Sequence, residues 1–106
     1  MQEVTYAGGT FITSDEVAQA LVEYAAALAN ADRAARVEVP AAGLATGGTA
    51  LTVLVGPASQ LMAEPVLSDD EEPDGSEFVR EIRAEIDRLG RRWAPESSGT
   101  PLDWDV

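Results

Sequence analysis

Residues 13–31, TSDEVAQALVEYAAALANA, decide the fold because they carry both the start signal and the buried face of a helix. Thr13 suits the N-cap position, and Glu16, three residues later, completes a capping box. The apolar side chains that recur at spacings of four, three and four residues are Val17, Leu21, Tyr24 and Leu28. This spacing predicts a helix over 15–30 with one face buried against a core.

The residues before this helix predict a β-hairpin. Residues 3–13, EVTYAGGTFIT, place two β-prone runs on either side of Gly8 and Gly9. Both central positions of a type I′ turn require positive φ, which glycine adopts readily. In that register Tyr6 faces Phe11 directly across the strand pair, and we expect both rings to face the core.

The residues after the helix predict three further strands. RVEVP, residues 36–40, alternates as a half-buried strand. TALTVLVG, residues 49–56, supplies its antiparallel partner and has the pattern of a central strand covered at least partly on both faces. SQLMAEPV, residues 59–66, returns as a third strand of the same meander. The sequence therefore predicts an α+β protein of order ββαβββα, with one helix packed on an antiparallel sheet and a second, C-terminal amphipathic helix.

Composition and periodicity divide the chain into four parts. Residues 1–66 are expected to form the α+β core, 67–76 an acidic linker, 77–93 an amphipathic helix and 94–106 a flexible tail. The apolar stripe of the second helix consists of Phe78, Val79, Ile82, Ile86, Leu89 and Trp93. Because such a stripe is stable only when it is covered, we expect this helix to dock on the core or on a partner chain.

The composition also excludes several kinds of chemistry. A chain of 106 residues fits one domain, and it contains no Cys, His or Lys. Disulfides, thiolate and imidazole metal ligands and the commonest general base are therefore excluded. Ser59 in GPASQL lacks the second glycine of a nucleophile elbow, and no histidine is present to activate it. We expect no enzyme activity, no metal site and no cofactor.

The net charge of −12 bears on the partner. Residues 1–63 hold six acidic residues and two Arg, whereas residues 64–106 hold thirteen and five. Such a field repels nucleic acid and anionic lipid and attracts basic protein surfaces. No apolar run is long enough to span a bilayer, and the first residues do not resemble a signal peptide. We expect a cytoplasmic protein that binds neither nucleic acid nor membranes.

The acidic residues are densest in residues 67–81, LSDDEEPDGSEFVRE, which hold seven carboxylates. The spacing from Asp70 to Glu81 matches an EF-hand loop, but Pro73 interrupts it and the preceding residues have the pattern of a strand. Asp74 is placed to cap the following helix. We expect the segment to attract a basic partner through diffuse electrostatics. The predicted partner-binding residues are Asp69, Asp70, Glu71, Glu72 and Asp74, together with Trp104 in the tail.

The order of four segments resembles one protein family. VTYAGG, TSDEVAQALVEYAAALA, ARVEVP and GTALTVLVG, the last followed by an apolar strand, are similar in order to the small immunity proteins of bacterial polymorphic toxin systems. The resemblance covers residues 3–63. It implies an α+β protein that binds and neutralises a cognate toxin, and the excess of acid would suit a toxin with a basic surface.

Three classes of function remain open at this point. The first is a protein-binding module of the immunity or inhibitor kind, whose partner has a basic surface. The second is a domain that self-associates into a homo-oligomer, and the third is a binder of a small ligand or a cation.

Overall fold

The computed structural model describes residues 1–6, 9–57 and 60–93, the side chains of residues 91–93 excepted. The elements are β1 (Gln2–Tyr6), β2 (Gly9–Thr13), α1 (Asp15–Asn30), β3 (Ala35–Pro40), β4 (Ala50–Val55), β5 (Leu61–Pro65) and α2 (Ser76–Trp93). This is an α+β fold, and the predicted order ββαβββα is confirmed. Ser59, Trp104 and the predicted tail, residues 94–106, lie outside the described residues.

Helix α1 begins one residue later than the predicted cap. The N-cap is Ser14, whose Oγ accepts a hydrogen bond of 3.2 Å from the Val17 N–H. Thr13 is instead the last residue of β2, and its hydroxyl donates to the carbonyl of Pro40 at 2.6 Å. The prediction of Thr13 as N-cap was therefore wrong. Its side chain bonds the end of β3, a partner distant in the sequence that the local pattern does not reveal.

Helix α1 ends in a Schellman motif. Asp32 has a φ of 56°, a left-handed conformation that Asp tolerates better than most residues. The Arg33 N–H donates to the Leu28 carbonyl at 3.0 Å, and the Asp32 N–H donates to the Ala29 carbonyl at 3.1 Å. These two bonds satisfy carbonyls that the last helical turn leaves without partners and turn the chain toward β3.

The five strands form two antiparallel sheets. One has three strands in the order β2-β1-β5, so β1 is central, and the other pairs β3 with β4. Among the described residues an isolated bridge joins them, in which the Ala42 N–H donates to the Ile12 carbonyl at 2.8 Å.

Two predictions about the strands differ from the structure: the partner of β5 and the position of β4 in its sheet. The pairing of β3 with β4 is confirmed, but β5 pairs with β1 rather than with β4. Strand β4 is therefore an edge strand within the described residues. Its inner residues Val53 and Val55 are buried, whereas Leu54 on its outer face is 68% exposed. The expectation of a central strand covered at least partly on both faces was wrong for that reason.

The hairpin register is shifted by two residues from the predicted one. Tyr6 pairs with Gly9, and Val4 rather than Tyr6 lies directly opposite Phe11. The two rings still meet diagonally, with centroids 6.0 Å apart and planes inclined by 73°. This edge-to-face geometry is favourable for aromatic side chains.

The core lies between α1 and the inner faces of both sheets. The buried helical residues, all at most 5% exposed, are Val17, Ala18, Ala20, Leu21, Tyr24 and Leu28. They pack with the buried strand residues Val4, Phe11, Val39, Val53 and Val55. The prediction that α1 packs on the sheet is confirmed, and its predicted apolar stripe is buried along its whole length.

Helix α2 packs against α1 of the same chain. Ile82 and Leu89 join the core, and Phe78, Val79 and Ile86 are partly buried beside it. An ion pair between Arg83 and Glu23 spans the two helices. The predicted helix over 77–93 is therefore present, and the described part of its apolar stripe, residues 78–89, is buried or partly buried beside the core.

The backbone at Gly75, just before α2, lies close to α1. Gly75 is buried, and a Cβ atom built on it would lie 2.1 Å from Val17 Cγ2 and 3.8 Å from Ser14 Oγ. No side chain fits there unless Val17 or the backbone shifts.

We predict that Gly75→Ala destabilises the fold by about 1–3 kcal/mol, because an added methyl group overpacks the contact with Val17. Denaturant unfolding measures the change. Gly90→Ala is the matched control within α2, since its Cβ would meet no atom within 4 Å. That variant is expected to stabilise the helix by about 0.5–1 kcal/mol. Equal stabilities for the two variants would contradict the close helix contact.

Candidate functional site

The acidic segment, defined as residues 67–74, leaves the three-stranded sheet and crosses to the start of α2. The last sheet-like bond is from the Val66 N–H to the Met1 carbonyl, at 3.1 Å. Leu67 is then 98% exposed. All five predicted partner-binding carboxylates in the segment are exposed to solvent.

Two local turns shape this segment. The Asp70 N–H donates to Ser68 Oγ at 3.1 Å, and the Ser68 hydroxyl donates to Asp70 Oδ2 at 3.0 Å. At the other end, the backbone N–H and the hydroxyl of Ser76 donate to Asp74 Oδ1 at 3.1 and 3.0 Å. Asp74 therefore binds an N–H of the first turn of α2, which agrees with its predicted role at the helix start.

The segment forms one wall of a cleft, which we call the acidic cleft. Its volume is about 580 Å³. The second wall is the end of β3 and the connection to β4, consisting of residues 40–43 and 48–50. The acidic wall consists of Asp70, Glu71, Glu72, Pro73 and Asp74.

Gly43 allows the two walls to meet. Its φ is +64°, and a Cβ on it would lie 2.6 Å from Asp70 Oδ2. The positive φ therefore favours glycine at this position, and any side chain there would also displace the Asp70 carboxylate.

The carboxylates of the acidic cleft lack countercharges. Among the described residues, Asp69, Asp70, Glu71 and Glu72 form no ion pair. The arginines of α2 whose side chains are described pair with glutamates of the two helices instead, as Arg80 with Glu77, Arg83 with Glu23 and Arg88 with Glu85. The cleft therefore carries a concentrated negative potential directed at solvent.

The geometry of the acidic cleft does not assemble a cation site. In residues 1–6, 9–57 and 60–90, no group of three or more acidic side chains is gathered in a way that could hold a metal ion. Glu81, the last ligand position of the EF-hand spacing, lies on α2 and lines a different groove. The acidic side chains are thus near one another without converging on one point.

The predicted site residues fall into three groups. Asp70, Glu71, Glu72 and Asp74 come together at the acidic cleft, and Asp69 is exposed beside it without lining it. Trp104 lies outside the described residues. The sequence prediction missed the opposite wall, residues 40–43 and 48–50. The glycine-rich composition of AAGLATGG was the available signal, because glycine marks positions where another part of the chain approaches closely.

Comparisons of the chain with protein-family models, with curated proteins and with solved structures found no match. In the part of the chain that the structure describes, neither helix combines the length and the apolar character that a bilayer crossing requires.

The carboxyl group of Asp74 gives a test of the turn that ends the acidic segment. The hydrogen bonds from the Ser76 backbone and hydroxyl hold the pKa of Asp74 below its usual value. We predict that Ser76→Ala raises this pKa part of the way back, since the backbone bond remains. A carboxyl-detected NMR titration measures it.

The lowered pKa of Asp74 also makes the stability of the fold depend on pH. The stabilisation from the ionised Asp74 carboxylate is fully present at a pH above the pKa of Asp74 in the unfolded chain. It is lost as the pH falls through the pKa of Asp74 in the folded protein. Ser68→Ala is the matched control, because Ser68 bonds Asp70 and does not contact Asp74. An Asp74 titration that is identical in Ser76→Ala and the wild type would contradict the turn.

Proposed function

We propose that this chain is a cytoplasmic protein-binding module that recognises the basic surface of a protein partner through the acidic cleft. The observation that carries the proposal is the set of exposed carboxylates at residues 69–72 with no ion pair in the described chain. Unpaired carboxylates raise the rate of encounter with a cationic partner and select against anionic ones.

The shape of the site supports a protein partner in particular. The acidic cleft is open, and its acidic wall is a connecting segment without helix or strand, so a protruding Arg or Lys side chain can reach several carboxylates from solvent. Arg binds carboxylates through two parallel hydrogen bonds, which adds geometric selectivity to the charge attraction.

Within this class, we propose an immunity or inhibitor protein that neutralises a basic toxin. The support is the similar order of elements over residues 3–63, the small size and the net charge of −12. A nuclease must present a basic surface to its substrate, and an acidic inhibitor competes for that surface. The acidic segment and α2 extend beyond the part of the chain that carries the resemblance.

Self-association into a homo-oligomer is the second candidate, and the edge strands favour it. Leu54 on β4 and Met62 on β5 are 68% and 56% exposed, and each strand has an open edge within the described residues. Open edges can pair with another copy of the same strand. Sedimentation at several protein concentrations tests this candidate, which predicts a mass that rises with concentration and falls in Leu54→Ser or Met62→Ser.

We predict that neutralising residues 69–72 together, as Asp69→Asn, Asp70→Asn, Glu71→Gln and Glu72→Gln, slows association with the basic partner. The partner is first captured from the native host with wild-type and variant baits, and association is then followed by stopped flow. The difference between the proteins should shrink in high salt, because the Debye length falls from about 10 Å at 0.1 M to about 3 Å at 1 M. Stability should change little.

The matched control neutralises four exposed acids away from the acidic cleft, Glu16, Asp32, Glu64 and Asp87, and so has the same net charge. The cleft variant should lose the partner while the control retains it. Equal weakening of both would show that net charge alone attracts the partner, and full binding by the cleft variant would contradict the proposed site.

A further inference from the structure

A second concave surface lies between β3 and α2. This groove has a volume of about 540 Å³ and is formed by α1, β3 and α2. Its apolar lining includes Tyr24 of α1, Val37 of β3 and Phe78 and Ile82 of α2. No residue of the groove lines the acidic cleft, so the two surfaces can serve different partners.

One wall of the groove is the edge of β3 that faces away from β4. The Ala41 N–H donates to the Thr49 carbonyl at 3.0 Å, directly across the extension of the β3–β4 ladder. Hydrogen-bonded pairs alternate with non-hydrogen-bonded pairs in an antiparallel ladder, so the backbone groups of even-numbered β3 residues point away from β4. The carbonyl of Pro40 follows this rule and accepts a hydrogen bond from the Thr13 hydroxyl of β2.

Arg36 and Glu38, nearer the start of β3, leave this edge open. Within the part of the chain that the structure describes, β3 pairs only with β4, and the outward N–H and C=O groups of Arg36 and Glu38 have no partner. Both residues are exposed and line the groove. The edge therefore offers two backbone donors and two backbone acceptors at the spacing of a β-ladder.

The Tyr24 hydroxyl is a further group without a partner in the groove. Tyr24 is only 5% exposed, and among the described residues its hydroxyl makes no hydrogen bond. A buried hydroxyl without a partner is unfavourable. Unpaired backbone groups and an unpaired buried hydroxyl on the same surface indicate that another chain covers it.

The side chains of Arg36 and Glu38 carry opposite charges on one face of β3. They lie two residues apart, and neither forms an ion pair within the described chain. Charges of a single sign protect an edge strand against pairing. Two opposite charges at this spacing instead favour one pairing register over its neighbours.

Antiparallel pairing with β3 of a second copy about Val37 satisfies this pattern. Arg36 then lies directly opposite Glu38 of the second copy, and the two-fold symmetry repeats the pair. Val37 meets its own counterpart in a non-hydrogen-bonded pair, where side chains approach closely. A register shift of two residues would place Arg36 opposite Arg36 or Glu38 opposite Glu38, and like charges directly opposite each other are destabilising.

We propose that two copies of this chain pair through the open edge of β3 and form a four-stranded antiparallel sheet of order β4-β3-β3-β4. The outward N–H and C=O groups of Arg36 bond those of Glu38 in the second copy, so every open backbone group of the edge gains a partner. Each hydrogen-bonded pair also brings two opposite charges together. The interface is self-complementary, as a two-fold dimer requires.

The open edges of β4 and β5 do not select a register in this way. The residues of β4 whose backbone groups point away from β3 are Ala50, Thr52 and Leu54, which carry no charge. Strand β5 ends at Pro65, which has no N–H to donate. The proposal therefore assigns self-association, the second candidate function, to β3, and it does not rest on the acidic cleft.

The net charge of −12 opposes contact between two copies, so the position of the acidic residues matters. They are densest in residues 67–74, which do not line the groove. At the paired edge the charges of Arg36 and Glu38 cancel. The edge itself therefore adds no net charge to the interface.

Sedimentation equilibrium of the full chain and of charge-reversed variants tests the proposal. The wild type should form a dimer whose share rises with concentration. Arg36→Glu and Glu38→Arg each place like charges opposite each other twice, and each should raise the dimer Kd by about tenfold or more. An equimolar mixture of the two variants restores both opposite-charge pairs and should form a heterodimer about as tight as the wild-type dimer.

Arg80→Glu and Asp87→Arg are the matched controls, because they change the net charge by the same amounts at exposed positions of α2 outside the groove. Both should dimerise like the wild type. A wild type that stays monomeric, or a mixture no tighter than either variant alone, would overturn the proposal. A dimer lost in Leu54→Ser or Met62→Ser but kept in Arg36→Glu and Glu38→Arg would also overturn it, and would assign self-association to β4 or β5.

Amide hydrogen exchange followed by NMR gives a second readout without any variant. The amide protons of Arg36 and Glu38 should become protected as the protein concentration rises. Fast exchange of both amides at concentrations where the dimer forms would contradict the pairing, because the copies would then meet at another surface.

Discussion

The packing of α1 on both sides is the constraint on which the rest of the structure depends. Its buried residues cover about half of the helix circumference, which is wider than the single stripe that one contact needs. The helix contacts two neighbours, the sheets (through β1, β3 and β5) and α2. Its buried residues include the small Ala18 and Ala20, and Gly75 lies against Val17 where α2 begins. Loss of either neighbour would expose apolar surface on α1.

The elements of this fold could be predicted from local sequence, but their partners could not. Periodicity located both helices and all five strands because each element buries one face. The hairpin register was ambiguous because a shift of two residues leaves every side chain on the same face. Only the turn distinguishes Tyr6 opposite Gly9 from Tyr6 opposite Phe11. The pairing of β5 with β1 joins residues about sixty positions apart, and an alternating strand pattern carries no information on which edge it will meet.

The candidate site also has one part that local sequence predicts and one part that only the folded chain brings to it. The density of acid in residues 67–74 is visible in the sequence, and so is the cap-like placement of Asp74. The second wall of the acidic cleft depends on how the connection between β3 and β4 folds back toward Asp70. No composition rule predicts that Gly43 meets Asp70 in particular. Glu81, the last position of the EF-hand spacing, likewise belongs to α2 and lines another groove, which the spacing alone does not reveal.

The position of α2 shapes both concave surfaces of the protein described above. The acidic segment is held at one end by the sheet, through the Val66 bond to Met1, and at the other by the start of α2. Further along, the same helix supplies the apolar wall of the groove beside β3. Its position is set by the contact of Gly75 with Val17 and by Ile82 and Leu89 in the core. Helix α2 therefore holds one end of the acidic segment and also borders the groove, although the two surfaces differ in chemistry. One surface carries exposed carboxylates without ion pairs among the described residues, and the other is lined largely by apolar side chains of α1, β3 and α2.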